Sequence, residues 1–218
     1  MLAPGDFLDV VLVSSQAGAF TRSMVSHALD MAKALDARGV RSPISVNLPV
    51  AALQDDGFCT WQVDRCRAKG VPPSRLIFEI SERELHVAGR AEAAISRLAS
   101  HGAGVAIDDF GTGHATFDRL RWHDVGQLKL EQALVQGAPV NERDSAILAN
   151  VVRLADELGY QVVGEGVETE RERALLERVG VVRAQGYLFA PALEPEEFLN
   201  FVETSPQRLA AYEIERAI

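Results

Sequence analysis

Acidic and amide side chains recur at the ends of short apolar segments, and their placement is the first indication of chemistry in this sequence. The segments read SVNLP, FEISE, AIDDFG, LKLE, VVGEGVE and AQGY, and their polar residues are Asn47, Glu79, Asp108, Asp109, Lys129, Glu165 and Gln185. Carboxylates that lie close together cannot all stay ionised without cations, because like charges raise one another's pKa. Oxygen ligands without histidine or cysteine suit Mg²⁺ or Mn²⁺. The pattern therefore predicts a divalent metal site.

These residues must be positioned by strands, and the sequence predicts a parallel sheet. Short β-type runs alternate with longer segments of helical periodicity, which is typical of βα units. Six strands are predicted, at residues 43–48, 75–81, 103–108, 126–131, 160–165 and 182–189. Counting by two places four of the polar residues on the same face of their strands, and these are Asn47, Asp108, Lys129 and Glu165. In a closed barrel that face points to the axis, so the side chains would converge at the C-terminal mouth.

Helices are predicted between the strands from apolar stripes and end signals. Segments 21–38 and 142–158 are amphipathic, and each is followed by a glycine. The predicted buried stripe of the second segment consists of Ile147, Val151, Leu154 and Leu158. Thr169 and Glu172 are spaced as a capping box, and Pro195 is placed like the first residue of a C-terminal helix.

The composition is that of a folded domain and excludes several kinds of partner. The chain has 218 residues, of which 47% are apolar, and no low-complexity linker, so we predict one domain over 1–218 with a core at about 5–204 and a tail at 205–218. The net charge is −9 and the bases do not cluster, which argues against duplex nucleic acid. Cys59 and Cys66, both predicted to be buried, suit a reducing, cytoplasmic compartment. Since no apolar run could span a bilayer, we expect no membrane contact by this domain.

Several of these residues also have ordinary explanations. An acid at a strand end usually caps the next helix or pairs with an arginine. Lys129 could extend its ammonium to the rim, but arginine would do so as well, so lysine favours a compact charge beside an anion or a water. The loop DDFGTGH could offer N–H groups to phosphate or act as a gate, but it lacks the Lys-Ser/Thr of a Walker loop. His114 is expected at the surface.

Taken together and in this order, SVNLP, FEISE, AIDDFGTG, LKLE, VVGEGVET and AQGYLF resemble the EAL domain of bacterial cyclic di-GMP phosphodiesterases. The resemblance runs from about Gly5 to Val202. It implies an α/β fold, a TIM-like (β/α) barrel of EAL type. It also implies two divalent ions, Mg²⁺ or Mn²⁺, and hydrolysis of cyclic di-GMP to linear pGpG.

The resemblance further implies a role for each matching residue. The expected metal ligands are Asn47, Glu79, Asp108, Asp109 and Glu165. The expected catalytic residues are Lys129, which would orient the attacking water, Glu165 and Gln185. The residues expected to support the loops of the site are Glu82, Gly111, Thr112, Gly113 and Glu168.

The sequence departs from the family pattern in several places. The first segment of the family, which carries the Glu-Ala-Leu signature and its metal-binding glutamate, is not found. Six strands are predicted where eight would close the barrel. We therefore expect a barrel that is incomplete at its N-terminal strands, and impaired hydrolysis. Glu131 stands where the family has aspartate, and Gly164 stands where it has alanine. Because glutamate is longer than aspartate, Glu131 could disturb the geometry of the site.

Other functions fit parts of the pattern. A catalytically inactive EAL relative could serve as a cyclic di-GMP sensor or as a protein-binding adaptor. Without the resemblance, the residues also allow an enolase-like lyase that uses Mg²⁺ with Lys129 as base. Because an unclosed sheet edge promotes association, we expect the edge to be covered. The candidates are a second copy in a homodimer, a missing segment, upstream domains of a longer chain, or another partner.

Overall fold

Helices and strands alternate along the described parts of the chain, as the βα pattern predicts, except between the third and fourth strands, where residues 112–121 are not described. The structure is a computed structural model that describes residues 16–87, 91–111 and 122–204. Its strands are β1 (Ile44–Asn47), β2 (Leu76–Ser81), β3 (Gly104–Phe110), β4 (Gln127–Leu130), β5 (Gln161–Gly164) and β6 (Arg183–Ala184). Its α-helices are α1 (Ala17–Asp36), α2 (Val50–Leu53), α3 (Phe58–Lys69), α4 (Glu82–Val87), α5 (Ala91–Ser100), α6 (Gln132–Gly137), α7 (Glu142–Glu157), α8 (Glu170–Arg178) and α9 (Pro195–Thr204). Each of the six predicted strands is therefore present.

The first of two compact units comprises the described residues up to Ala106 together with Trp122–Val125. Its strand order is β1-β2-β3, and it holds the first residues of β3. β1 and β2 run parallel in a register that sets Asn47 beside Glu79. Phe58 of α3 and Phe78 of β2 are both buried, and their rings meet edge to face with centroids 5.7 Å apart. This aromatic contact packs α3 against the sheet.

The second unit comprises the described residues from Ile107 onward, apart from Trp122–Val125. Its strand order is β3-β4-β5-β6, and the pairs β4–β5 and β5–β6 are parallel. The core of this unit is built from Leu130, Val135, Ala138, Leu148, Val152, Val167, Leu175, Leu176 and Val181. These side chains come from β4, from helices α6 to α8 and from the intervening loops, so the core holds the carboxyl ends of β4 and β5 in place.

Most strand ends lie one residue inside the predicted bounds, and two differ from the prediction by more. β3 continues through Asp109 to Phe110, beyond the predicted end at Asp108. β6 contains only Arg183 and Ala184, so the predicted strand at 182–189 is too long. Beyond Ala184 the backbone partner is a loop residue, Val167, which hydrogen-bonds to Gln185 and Leu188 on either side of Gly186. The chain therefore leaves the sheet before this glycine.

The buried face of α7 also differs from the prediction. Ile147 is 51% exposed and Leu158, just past the helix, is 48% exposed, so both were wrongly placed in the core. The structure instead buries Leu148, Val152 and Ala155, a stripe displaced by one residue. The sequence holds two adjacent apolar stripes of the same period, and only packing against the core selects between them.

The local end signals are confirmed. Thr169 and Glu172 form a reciprocal capping box at the start of α8, and α9 begins at Pro195. Cys59 and Cys66 are buried and are not joined in a disulfide. Among the residues that the structure describes, no helix is both long enough and apolar enough to cross a membrane. The prediction of one domain over the whole chain stays a prediction.

Candidate metal centre

Three carboxylates converge at the carboxyl ends of two strands in the second unit. Asp108 and Asp109 lie near the end of β3, and Glu165 directly follows β5. One carboxylate oxygen from each residue lies within 4.8 Å of the other two. All three residues are partly buried, so solvent screens their mutual repulsion less than it would at an open surface. This is an all-oxygen donor set that a divalent cation could neutralise.

A lysine supplies the positive charge inside this cluster. Lys129 of β4 is only 4% exposed. Its Nζ lies 3.0 Å from Asp108 Oδ1 and 2.7 Å from Glu165 Oε1. A buried ammonium is stable only when it is paired, and these two contacts provide the pairing. Lys129 therefore holds two of the acids together and does not extend to the rim.

Gln185, which directly follows β6, orients the glutamate. Its Nε2 donates a hydrogen bond of 2.5 Å to Glu165 Oε1. Its backbone N–H donates to the carbonyl of Gly164 at 2.8 Å, and its carbonyl accepts from the N–H of Val167 at 3.0 Å. The side chain and the backbone of Gln185 thus both fix the segment that contains Glu165.

The backbone of Asp109 explains how two consecutive aspartates can face one cluster. In a regular strand neighbouring side chains point to opposite faces. Asp109 has a φ of +55°, in the left-handed region that aspartate tolerates better than most residues. Its N–H donates to Asp108 Oδ1 at 3.0 Å. The alternation is broken at this residue, and both carboxylates reach Glu165.

The loop after Glu165 is held by α8. The carboxylate of Glu172 accepts hydrogen bonds from the N–H of Glu168 at 2.7 Å and from that of Thr169 at 3.0 Å. The side chain of Thr169 accepts in return from the N–H of Glu172. Glu168 itself is exposed, so its backbone is fixed while its carboxylate faces solvent.

The remaining predicted site residues belong to the first unit, to the end of β3 or to a part of the chain that the structure does not describe. Asn47, Glu79 and Glu82 belong to the first unit, where Asn47 is exposed and Glu79 and Glu82 are buried. Gly111 follows β3 with a φ of +111°, which favours glycine. Thr112, Gly113 and His114 lie outside the described residues. The functional roles of all these residues stay predictions.

Two glutamines near the acids were missed by the sequence analysis. A cavity of about 550 Å³ is lined by Asp109, Glu131, Gln132, Ala133, Gln136, Glu165, Gly166 and Gln185. Gln132 and Gln136 belong to α6, which follows the LKLE strand. The sequence feature that could have identified the two glutamines is their spacing of one helical turn, which places both on one side of α6.

The fold and the site together define an α/β protein with an acidic cluster, a candidate metal centre, at the carboxyl ends of parallel strands. The chain belongs to the EAL domain family, whose match covers residues 1–192. The prediction of an α/β fold of the TIM-like EAL type is confirmed.

Individual relatives support the same assignment. The cyclic di-GMP phosphodiesterase RocR of Pseudomonas aeruginosa is 39% identical over 136 residues, which are 62% of this chain and 35% of RocR. The crystal structure of the EAL domain of Mycobacterium smegmatis DcpA is 31% identical, with a TM-score of 0.76 and 82% of each chain covered. Klebsiella pneumoniae BlrP1, in a manganese and cyclic di-GMP complex, is 28% identical with a TM-score of 0.75, covering 82% of this chain and 46% of BlrP1. The chain spans less than half the length of the curated relatives it matches.

Proposed function

We propose that this chain is a divalent-metal-dependent phosphodiesterase domain that hydrolyses cyclic di-GMP to linear pGpG. The observation that carries the proposal is the cluster of Asp108, Asp109 and Glu165 around the buried ammonium of Lys129, in a chain of the EAL family. RocR is a cyclic di-GMP phosphodiesterase and BlrP1 forms a complex with manganese and cyclic di-GMP, and both relatives support the same substrate and cofactor.

The donor set fits hard divalent cations. Asp108, Asp109 and Glu165 offer only oxygen atoms, in a partly buried cluster whose charge exceeds that of a single lysine. We propose that these three residues hold two ions, Mg²⁺ or Mn²⁺. Such ions, when bound, would lower the pKa of the attacking water and stabilise the charge that develops on the phosphoryl oxygens.

The protein's own residues prepare the site for this chemistry. The ammonium of Lys129 offsets part of the negative charge and holds Asp108 and Glu165 together through its two ion pairs. We assign it the further role of orienting the attacking water, since its ammonium is a compact charged donor in contact with two of the acids. The amide of Gln185 holds Glu165 in one orientation, so the carboxylate does not have to reorganise during the reaction.

The test is an assay of the purified chain with cyclic di-GMP and either Mg²⁺ or Mn²⁺, with product separation by chromatography. We expect pGpG to form only when the metal is present, and EDTA to stop its formation. Calorimetric binding of cyclic di-GMP without turnover would contradict hydrolysis and support the sensor or adaptor function. Absence of both turnover and binding would contradict the substrate.

We also propose that the domain associates with a second copy in the cytoplasm. Among the described residues, β1 pairs with β2 alone and β6 pairs with β5 alone, so each presents an edge. Exposed strand edges favour association with another chain. The two buried, unbridged cysteines suit a reducing compartment.

A further inference from the structure

We infer that Gln132 and Gln136 of α6 are positioning residues for Glu165. Both contact the next residue, Gly166, and so fix the backbone that orients the Glu165 side chain. Neither glutamine belongs to the motifs that predicted the metal centre. The inference rests on the proposed function, because its main readouts are metal affinity and hydrolysis at that centre.

The two glutamines contact Gly166 through one hydrogen bond and one close packing contact. The Nε2 of Gln136 donates to the carbonyl oxygen of Gly166 at 2.8 Å. The side chain of Gln132 lies where a side chain on Gly166 would begin, since a Cβ there would be 2.2 Å from Gln132 Cγ. Gly166 has a φ of +64°, so both its conformation and its contact with Gln132 require glycine.

Glu165 is thereby fixed on both sides. On its N-terminal side, Gly164 ends β5 and its carbonyl accepts the N–H of Gln185 at 2.8 Å. On its C-terminal side, the carbonyl of Gly166 is held by Gln136. The direction of a side chain follows the backbone of its own residue, so fixing both flanking peptides fixes where the carboxylate of Glu165 points. Supporting contacts of this kind set how well a ligand meets its metal.

The location of the two glutamines distinguishes positioning from a purely structural role. Gln136 is only half-buried and Gln132 is exposed, so their contacts contribute little to the burial of the core. Both line the cavity that contains Asp109 and Glu165. Substitution of either glutamine should therefore lower the affinity for the metal more than the free energy of unfolding.

The test compares Gln136→Met, which keeps the length of the side chain but removes the donor, with the unchanged protein. We expect Mn²⁺ affinity, measured by calorimetry, to fall by about tenfold, and kcat for cyclic di-GMP hydrolysis to fall with it. The thermal unfolding midpoint without metal should be nearly unchanged. The matched control is Gln161→Met, at the first residue of β5, where the amide contacts Gln127 and Arg183. It should leave Mn²⁺ affinity unchanged.

A double-mutant cycle with Glu165→Gln tests whether Gln136 acts through Glu165. In the Glu165→Gln background, Gln136→Met should cause no further loss of Mn²⁺ affinity. Unchanged Mn²⁺ affinity in Gln136→Met, or the same loss in both backgrounds, would overturn the inference. Gln132→Ala, which removes the packing contact without removing a hydrogen bond, repeats the test if Gln136→Met does not fold. Absence of Mn²⁺ binding and hydrolysis in the unchanged protein would instead contradict the proposed function itself.

Discussion

Lys129 is the residue on which the charge balance of the candidate centre depends. It contacts Asp108 and Glu165, whose side chains are 20% and 13% exposed, while its own side chain is 5% exposed. Removing one partner of a buried charge cluster leaves the remaining charges without compensation. The lysine should therefore stabilise the metal-free protein and not only serve the reaction.

We predict that Lys129→Met lowers the free energy of unfolding of the metal-free protein by about 3 kcal/mol, because two partly buried acids lose their common counter-charge. Urea unfolding in EDTA measures this loss. Lys69→Met is the matched control, since Lys69 pairs with Asp30, whose side chain is 55% exposed, and we expect a loss of about 1 kcal/mol at most. Equal losses in the two variants would show that Lys129 is not the counter-charge of the acids.

The types of the site residues could be predicted from the sequence, but their local geometry could not. Acids and a lysine within apolar strands are unusual enough to be noticed in a single sequence. The left-handed backbone of Asp109 leaves no sequence signal, because aspartate occurs in many conformations. Gln132 and Gln136 were missed for a related reason, since glutamine on a short helix is ordinary until its neighbours are known.

The packing of β5 against α8 depends on one glycine. A Cβ on Gly164 would lie 2.5 Å from Cδ1 of Leu176, which is 2% exposed in the core. The branched leucine of α8 therefore occupies the space that an alanine side chain in β5 would need. This explains structurally why glycine stands where the family pattern has alanine.

We predict that Gly164→Ala lowers the free energy of unfolding by about 1–2 kcal/mol, because the added methyl group overpacks this contact. In a Leu176→Ala background the same substitution should raise stability, since the methyl group then fills part of the cavity that the truncation leaves. Urea unfolding of the four proteins in this cycle measures the coupling. Additive effects would show that the two side chains do not compete for the same space.

Element ends were predictable where the signal is local. The capping box of Thr169 and Glu172 needs only residues within one turn, and it forms as predicted. The buried face of α7 needs the core, because Ile147 and Leu148 belong to equivalent stripes and only Leu148 is buried. The short β6 likewise depends on the backbone hydrogen bonds of Val167 to Gln185 and Leu188, contacts between distant parts of the chain.

At the scale of the whole molecule, the alternation of strands and helices was sufficient to predict an α/β fold, and the motifs at the strand ends indicated the EAL type. The association state was not determined by the same pattern, because it depends on which surfaces meet another chain. The edges at β1 and β6 are the features of the described residues that bear on it.

We predict that the purified chain sediments as a dimer at micromolar concentration, because edge strands such as β1 and β6 favour association with another chain. Sedimentation velocity at several concentrations measures the species present. A single monomeric species across the range would contradict this prediction.

The central claim is that acids from different strands of the second unit bind divalent cations together. Calorimetric titration of Mn²⁺ into the unchanged protein, Asp108→Ala and the control Asp156→Ala tests it most directly, since Asp156 is an exposed aspartate on α7 of the same unit. We predict that the unchanged protein and Asp156→Ala bind Mn²⁺ with equal affinity and that Asp108→Ala shows no measurable binding. Unchanged Mn²⁺ affinity in Asp108→Ala would contradict the metal centre and, with it, the proposed hydrolysis.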